Sequence, residues 1–248
     1  MRIEKLEGAN IAIVAMGESQ LDYHLSVSHG HEYDEVWAIN AMASVIFHDK
    51  VFMMDPPSRF LDDIVAGSQT NSMKERLLKK LNIPIYSCCL DERCPDVIEY
   101  PLQEVLEKTK YAYLNNTVAY AVAYAIAQEF QEIHLYGMDF GHKTMPYFAE
   151  AGRGCVEFWC AIAISKSIKI CIANTSPLLD TNVPSTEKLY GYHRLEDPFV
   201  TTTTQGNLLI TRKSKMEPPE PLDNELRNKS HIIGRKDIEG VIYEKKKK

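Results

Sequence analysis

The chain has 248 residues, of which 45% are hydrophobic, so it can bury a sizeable core and is too apolar to be disordered over most of its length. Its longest apolar run, Val118–Ala127, is about half of the roughly 20 residues that a membrane span requires, and no secretory pattern is visible, so we expect a soluble, cytoplasmic protein. The net charge is −6, but residues 212–248 carry +4 and the first 211 residues carry −10, and such an acidic body excludes a broad DNA-binding surface.

Short apolar runs bounded by turn residues alternate with helical patterns along the first 174 residues. The predicted strands are Ile11–Met16, Val36–Ile39, Val51–Met54, Ile83–Tyr86, Glu132–Tyr136 and Ile168–Ile172. One predicted helix begins near Gln20. Four others cover Met73–Leu81, Leu102–Lys108, Thr117–Phe130 and Gly154–Ser167. This alternation predicts an α/β fold: a doubly wound, mostly parallel, Rossmann-like sheet with helices on both faces.

The pattern fades after Asn174 and predicts three regions. Residues 1–174 are expected to form a Rossmann-like nucleotide-binding domain, and residues 175–215 a lid or appended segment. Residues 216–248, which begin with the breaker cluster MEPPEP and end in four lysines, are expected to be a flexible basic tail.

The cysteines and the histidine pair give no strong metal signal. Six cysteines occur without paired CxxC spacing, which favours reduced and mostly buried thiols in a cytosolic protein. Cys88, Cys89 and Cys94 lack a second ligand pair for zinc. His29 and His31 lack a carboxylate at metal spacing, so no metal is predicted there.

The first strand is followed by Gly17, Glu18 and Ser19. A turn of this kind between a strand and a helix lets a nucleotide approach the backbone and offers N–H groups to a phosphate. Neither G-x-G-x-x-G nor the Walker lysine pattern is present, which excludes a typical dinucleotide dehydrogenase or P-loop NTPase. An ordinary turn between strand and helix is the alternative interpretation.

Asn40 and Asp55 close the next two strands. Side chains at the carboxyl ends of parallel strands face the ligand crevice, where Asn can read a base or a ribose hydroxyl. Asp can bind a ribose or hold Mg²⁺, and the prolines after Asp55 stiffen its loop. Both residues are also common turn formers.

The segment Asn115-Asn116-Thr117 precedes a helix rich in alanine. Asn116 is a natural N-cap, and the free N–H groups of a helix N-terminus suit an anion. The alanines allow close packing of this helix on the sheet, with its N-terminus directed at the crevice. We therefore predict that the turn formed by Asn115, Asn116 and Thr117 belongs to an anion-binding site at the crevice.

The strand IHLY ends in Gly137 and Asp139, and a polar loop is predicted over Lys143–Arg153. Asp139 is a candidate for the crevice, and His142 is the best-placed histidine for proton transfer. In the loop, Tyr147 and Arg153 could contact phosphate, Arg153 in a bidentate manner.

His193 and Arg194 lie in the predicted lid. Such residues could close over an anionic donor, or they could belong to a surface loop.

The ordered set of motifs resembles the bacterial sialyltransferases of the Campylobacter type and the related motility accessory factor and 6-hydroxymethylpterin diphosphokinase-like proteins. The set comprises strand–GES–helix, strand–Asn, strand–Asp-Pro, NNT–helix–EIHLYGMDF, and a helix containing Val156-Glu157-Phe158. Two positions depart from the family pattern. Glu18 stands near a family proline, and Tyr147 stands where the sialyltransferases have a histidine base. His142 or a carboxylate such as Asp139 is therefore the expected base, and the resemblance implies that Asn116 and Thr117 bind near the phosphate or the transferred group.

The resemblance implies a transferase, namely a glycosyltransferase with a nucleotide-sugar donor and a glycan, protein or modified nucleic acid as acceptor. It implies no firm cofactor. An ATP-dependent diphosphokinase is the alternative, and it would require Mg²⁺ at Asp55 and Asp139. A non-catalytic nucleotide-binding protein is the third hypothesis, and a homo-oligomer is compatible with all three.

Overall fold

The computed structural model describes residues 8–63, 67, 69–141, 145–184, 187–204 and 207–216. Seven strands form one parallel sheet: β1 (Asn10–Val14), β2 (Glu35–Ile39), β3 (Lys50–Phe52), β4 (Ile85–Ser87), β5 (Val97–Glu99), β6 (Glu132–Tyr136) and β7 (Lys169–Ile172). Their order is β5-β4-β3-β2-β1-β6-β7, so the chain winds outward from β1 in one direction and then returns to continue on the other side. This topology confirms the predicted doubly wound α/β class.

In the part of the chain that the structure describes, six α-helices cover the two faces of the sheet: α1 (Leu21–Ser28), α2 (Pro57–Leu61), α3 (Thr70–Leu78), α4 (Leu102–Thr109), α5 (Thr117–Gln128) and α6 (Pro146–Ser165). Because strand side chains alternate between faces, Ile11 and Ile13 pack with α4, α5 and α6, whereas Ala12 and Val14 pack with Tyr23 of α1. Farther along the sheet, Met53 packs with α2 and α3 on the α1 face.

Helix α5 is the central buried helix. Its five alanines are all almost inaccessible to solvent, and it packs against α4, α6 and the sheet. A helix that is apolar all round needs neighbours on every side, and small side chains let those neighbours approach closely. The close packing predicted from the alanines is confirmed.

The structure corrects two expectations about local structure. The predicted loop Lys143–Arg153 is wrong for Pro146–Arg153, which forms the first turns of α6. Proline is favourable at the start of a helix, as Pro146 is here. Inside the helix, the absence of a side chain at Gly152 leaves room for the Phe140 ring, which would lie only 3.0 Å from a Cβ at that position. The short strand β5, between Pro95 and Pro101, was not predicted.

The chain divides into two compact units, with the division after Pro184. The sequence pattern placed its boundary at 174, but Ser176 and Leu178 are fully buried, and Leu178 belongs to the core of the first unit. In the second unit, β8 (Phe199–Thr204) and β9 (Asn207–Arg212) pair as an antiparallel hairpin. Residues 217–248 of the predicted tail lie outside the described residues.

Every helix among the described residues is too short or too polar to cross a lipid bilayer. All six cysteines are free: Cys94, Cys155 and Cys160 are buried, Cys171 is half-buried, and Cys88 and Cys89 are exposed.

Candidate active site

The candidate site lies where the winding of the sheet reverses, at the carboxyl ends of β1 and β6. These two strands are neighbours, and the chain leaves them toward different sides of the sheet. Loops that diverge in this way open a crevice that the sheet itself does not fill. Here the crevice is a cleft of about 510 Å³, which we call the switch-point cleft.

Two glycines bring the loops after β1 and β6 into contact. The Gly17 N–H donates a hydrogen bond to the Gly137 carbonyl at 3.0 Å. Gly137 has a φ of 72°, and a Cβ there would lie 2.1 Å from the Ala15 carbonyl oxygen. A Cβ on Gly17 would lie 2.5 Å from Asp139 Oδ2. Only glycine permits this approach at either position.

Hydrogen bonds join Ser19 to Asp139, a residue of the cleft lining. The Ser19 N–H donates to Asp139 Oδ2 at 2.8 Å, and the Ser19 hydroxyl donates to Asp139 Oδ1. The same hydroxyl accepts a bond from the Gly137 N–H at 2.9 Å. We call this arrangement the Ser19–Asp139 bridge.

The Ser19–Asp139 bridge changes the interpretation of the first turn. Ser19 is only 2% exposed, and its N–H already donates a hydrogen bond to the carboxylate of Asp139. Asp139 therefore occupies the position at the start of α1 where a phosphate was predicted. Ser19 positions Asp139 and Gly137, while Gly17 and Glu18 line the cleft.

Five of the predicted residues line the switch-point cleft: Gly17, Glu18, Asn40, Gly137 and Asp139. The described lining includes two carboxylates and no lysine or arginine. Positive charge to balance these two carboxylates would have to come from a ligand or from the partial charges of backbone N–H groups. The cleft therefore suits a ligand of low negative charge better than a polyphosphate.

Asn40 is the most unusual side chain in the cleft. Its backbone φ is 51°, in the left-handed region, at the point where β2 ends and a short 3-10 helix begins. Its side-chain Oδ1 is buried and has no hydrogen-bond partner among the residues that the structure describes. A buried acceptor without a partner is costly, and such strain is typical of ligand sites.

The N-terminus of α5 reaches the cleft through Val118. Asn116 caps the helix, since its Oδ1 accepts a bond from the Ala119 N–H at 3.0 Å. Its amide group also donates to the Gly152 carbonyl, and the Asn115 amide donates to the Ala151 carbonyl, both in α6. These two amide side chains hold α5 against α6, so they are already engaged in hydrogen bonds. The backbone N–H groups of the first turn of α5 are therefore the donors that this segment offers to an anion.

Several predicted residues lie away from the cleft. Asp55 forms an ion pair with Arg59. Tyr147 is 85% exposed on the first turn of α6. Arg153 donates to Glu157 and to Asp180, each at 2.8 Å, so two carboxylates already bind its guanidinium.

The remaining predicted residues are Thr117, His142, His193 and Arg194. Thr117 is the first residue of α5, next to Val118 of the lining. His142 lies outside the described residues. In the second unit, His193 contacts the Leu189 carbonyl at 3.1 Å, and Arg194 lies 5.0 Å from the ring centre of Tyr190.

Gln69 and Gly141 are among the lining residues that the sequence-based site prediction did not include. Gln69 precedes α3, and its Oε1 contacts the Ala41 N–H at 3.4 Å, beside Asn40. The strand before it ends at Phe52, so only the folded chain brings Gln69 to the crevice. Gly141 follows the Gly-Met-Asp-Phe motif, and its proximity to Asp139 in the sequence was an available signal.

We expect Ser19→Ala to lower the free energy of unfolding by about 2 kcal/mol, because it leaves the Gly137 N–H and one Asp139 oxygen without a partner. In a thermal melt this corresponds to a midpoint about 4–8 °C lower. Ser28→Ala is the control, since its exposed hydroxyl bonds only to the Leu25 carbonyl in its own helix. Equal midpoints for the Ser19 and Ser28 variants would contradict the Ser19–Asp139 bridge.

No protein-family model and no curated protein matches this chain. Among solved structures, the sialyltransferase CstII from Campylobacter jejuni in complex with the substrate analogue CMP-3FNeuAc is 18% identical, with 68% of this chain and 83% of that chain covered and a TM-score of 0.43. An α-2,3-sialyltransferase from Campylobacter jejuni in apo form is 19% identical, with 71% and 82% covered and a TM-score of 0.41.

Proposed function

We propose that this chain is a glycosyltransferase that moves a sugar from a nucleotide-sugar donor to a hydroxyl acceptor. The observation that carries the proposal is the switch-point cleft, whose lining includes Asn40, a residue with a left-handed backbone and a buried Oδ1 that has no partner among the described residues. An amino group of a base or a hydroxyl of a sugar would supply the missing donor. The sequence resemblance to sialyltransferases supports glycosyl transfer as the class of reaction.

The donor phosphate binds at the N-terminus of α5. The first N–H groups of a helix have no partner within the helix, and they carry the positive end of its dipole. Because Val118 lines the cleft, these groups lie at its edge. They stabilise the negative charge that develops on the phosphate as the sugar departs.

The reaction exchanges one bond at the anomeric carbon for another. The acceptor hydroxyl oxygen forms a bond to that carbon, and the bond from the carbon to the donor phosphate breaks with its electrons on the phosphate. The hydroxyl proton passes to a base. We assign this role to His142, the residue that follows Gly141 of the cleft. Asp139 is less suitable, because both of its oxygens accept bonds from Ser19.

The acidic lining favours a donor with few charges. A nucleoside monophosphate sugar carries one phosphodiester charge, whereas ATP carries about four, and Glu18 and Asp139 would repel the larger charge. The diphosphokinase alternative also requires Mg²⁺ at Asp55 and Asp139. These residues do not fit Mg²⁺, because Asp55 pairs with Arg59 outside the cleft lining and Asp139 is bound by Ser19. The alternative is therefore not favoured.

A thermal-shift panel tests the proposal with CMP-, UDP- and GDP-activated sugars and with ATP plus Mg²⁺. At 100 times its Kd, the true donor stabilises the protein by about 2.7 kcal/mol and raises the midpoint by about 5–10 °C. We expect this rise with a nucleotide sugar, followed by release of the nucleotide when glycan acceptors are added. A rise with ATP plus Mg²⁺ alone would instead indicate the diphosphokinase. Binding without turnover on any glycan, protein or nucleic acid acceptor would indicate a non-catalytic protein.

A further inference from the structure

Three potential metal ligands meet on the α1 face of the sheet, where β6 pairs with the edge strand β7. Glu132 and His134 are two residues apart on β6, so they share this face. Cys171 is the direct neighbour of His134 on β7. The carboxylate, imidazole and thiol atoms all lie within 4.8 Å of one another. We call them the Glu132–His134–Cys171 cluster.

The imidazole of His134 is unsatisfied as it stands. The side chain is only 6% exposed, and its Nε2 has no hydrogen bond of acceptable geometry among the described residues. Nevertheless, Nε2 lies 2.7 Å from Glu132 Oε1. A cation bound by both the imidazole nitrogen and the carboxylate oxygen would give each of these atoms a partner.

We propose that the Glu132–His134–Cys171 cluster binds one zinc ion, which ties β7 to β6. Carboxylate oxygen, imidazole nitrogen and thiolate sulfur are the three ligand types that zinc takes in proteins. No part of the proposed transferase activity requires this site. It lies toward the amino end of β6, about 10 Å along the strand from Gly137 and the switch-point cleft.

The geometry requires only a small opening of the cluster. In tetrahedral zinc sites with ordinary bond lengths, ligand atoms lie about 3.4–3.7 Å apart. Here Nε2 and Oε1 are 2.7 Å apart, and the Cys171 thiol donates to the same Oε1 at 3.2 Å. The ion replaces the thiol proton, which leaves to solvent, so the sulfur binds as thiolate. The exposed ring of His31, with its centroid 5.0 Å from that of His134, places a further nitrogen nearby.

Lys169 competes with the metal. Its ammonium lies 2.9 Å from Glu132 Oε1, and its side chain is 65% exposed. An exposed ammonium can swing into water when a divalent ion arrives, because a surface ion pair contributes little. Removal of this ammonium should therefore strengthen zinc binding, by up to about fivefold.

Equilibrium dialysis with Zn²⁺, followed by elemental analysis, tests the proposal on the full chain. The protein carries Cys88→Ser and Cys89→Ser, because those two exposed thiols could bind metal independently. We expect one zinc per chain, a raised melting temperature with zinc, and a thiolate-to-metal charge-transfer band when Co²⁺ replaces it. Cys171→Ser should lose all three signals.

Two further variants make the result decisive even if Cys171→Ser folds poorly. Lys169→Met should bind zinc more tightly, and Glu132→Gln should bind it at least tenfold more weakly; near-ultraviolet circular dichroism checks the fold of each. A background protein that binds no zinc would overturn the assignment. So would a folded Cys171→Ser protein that keeps its zinc and cobalt band, or a Lys169→Met protein that binds zinc no more tightly.

Discussion

Gly17→Ala is expected to abolish donor binding and to reduce turnover by at least about 100-fold, the loss that misplacement of a site by about 1 Å can cause. A Cβ at this position would lie 2.5 Å from Asp139 Oδ2 and 2.7 Å from the Gly137 carbonyl oxygen. Neither atom can retreat easily. The carboxylate is held by two bonds from Ser19, and the carbonyl accepts the N–H of Gly17 itself.

The backbone conformation of Gly17 shows that the effect of Gly17→Ala comes from the contacts of the added Cβ. Its φ of −68° and ψ of 163° are accessible to alanine, so conformational strain is not involved. We therefore expect the overpacking to lower the free energy of unfolding by only about 1–3 kcal/mol. The variant should be assayed at low temperature, with circular dichroism to verify that it is folded.

Gly141→Ala is the matched control for Gly17→Ala. Gly141 lines the same cleft, but a Cβ there meets no heavy atom within 4 Å. We expect this variant to keep the donor-induced thermal shift and most of the turnover. If Gly17→Ala bound and turned over the donor as well as Gly141→Ala does, the switch-point cleft would not be the donor site.

The fold was largely predictable because buried parallel strands have a local signature. Glu132–Tyr136 was predicted with its observed bounds, and the start of α5 at Thr117 followed from the capping segment before it. The strand Val97–Glu99 has only three residues between prolines, too few for any period to emerge. The start of α6 was missed because the glycines of that segment resemble a loop, whereas Gly152 serves packing against Phe140.

The site was less predictable because its chemistry depends on long-range pairing. Ser19 and Asp139 are 120 residues apart in the sequence, and nothing local to either residue indicates that one binds the other. The Glu132–His134–Cys171 cluster shows the same limit. The sequence shows that Glu132 and His134 are two residues apart on one strand. Their neighbour on β7, Cys171, depends on strand order and register, which the sequence alone did not specify.

Asn40→Gly is expected to weaken donor binding about tenfold while leaving the protein as stable as the wild type, within about 1 kcal/mol. Glycine adopts a φ of 51° without strain, which offsets the greater entropy of its unfolded chain. The variant lacks the buried Oδ1, so it loses one hydrogen bond to the donor, and about 1.4 kcal/mol corresponds to a tenfold change in affinity. Isothermal titration with the nucleotide sugar selected by the thermal-shift panel measures the change.

Two companion variants separate the amide from the backbone. Asn82 also has a left-handed backbone, with a φ of 58°, but it lies between α3 and β4 and is absent from the cleft lining. Asn82→Gly therefore repeats the backbone change and should bind the donor normally. Asn40→Asp keeps an acceptor oxygen but adds a negative charge beside the existing carboxylates of the cleft. This variant should therefore bind the donor more weakly than Asn40→Gly does. The difference in affinity between the two variants should shrink at high salt, which screens the added charge.

The pattern across the three variants decides the role of Asn40. If its Oδ1 accepts a hydrogen bond from the donor, affinity falls in both Asn40 variants and is unchanged in Asn82→Gly. If all three bind the donor as the wild type does, the unpartnered oxygen does not read the ligand, and the central support for a nucleotide-sugar site is lost. A stable Asn40→Gly protein with weakened binding would instead show that backbone strain at the end of β2 is retained to hold an acceptor in the cleft.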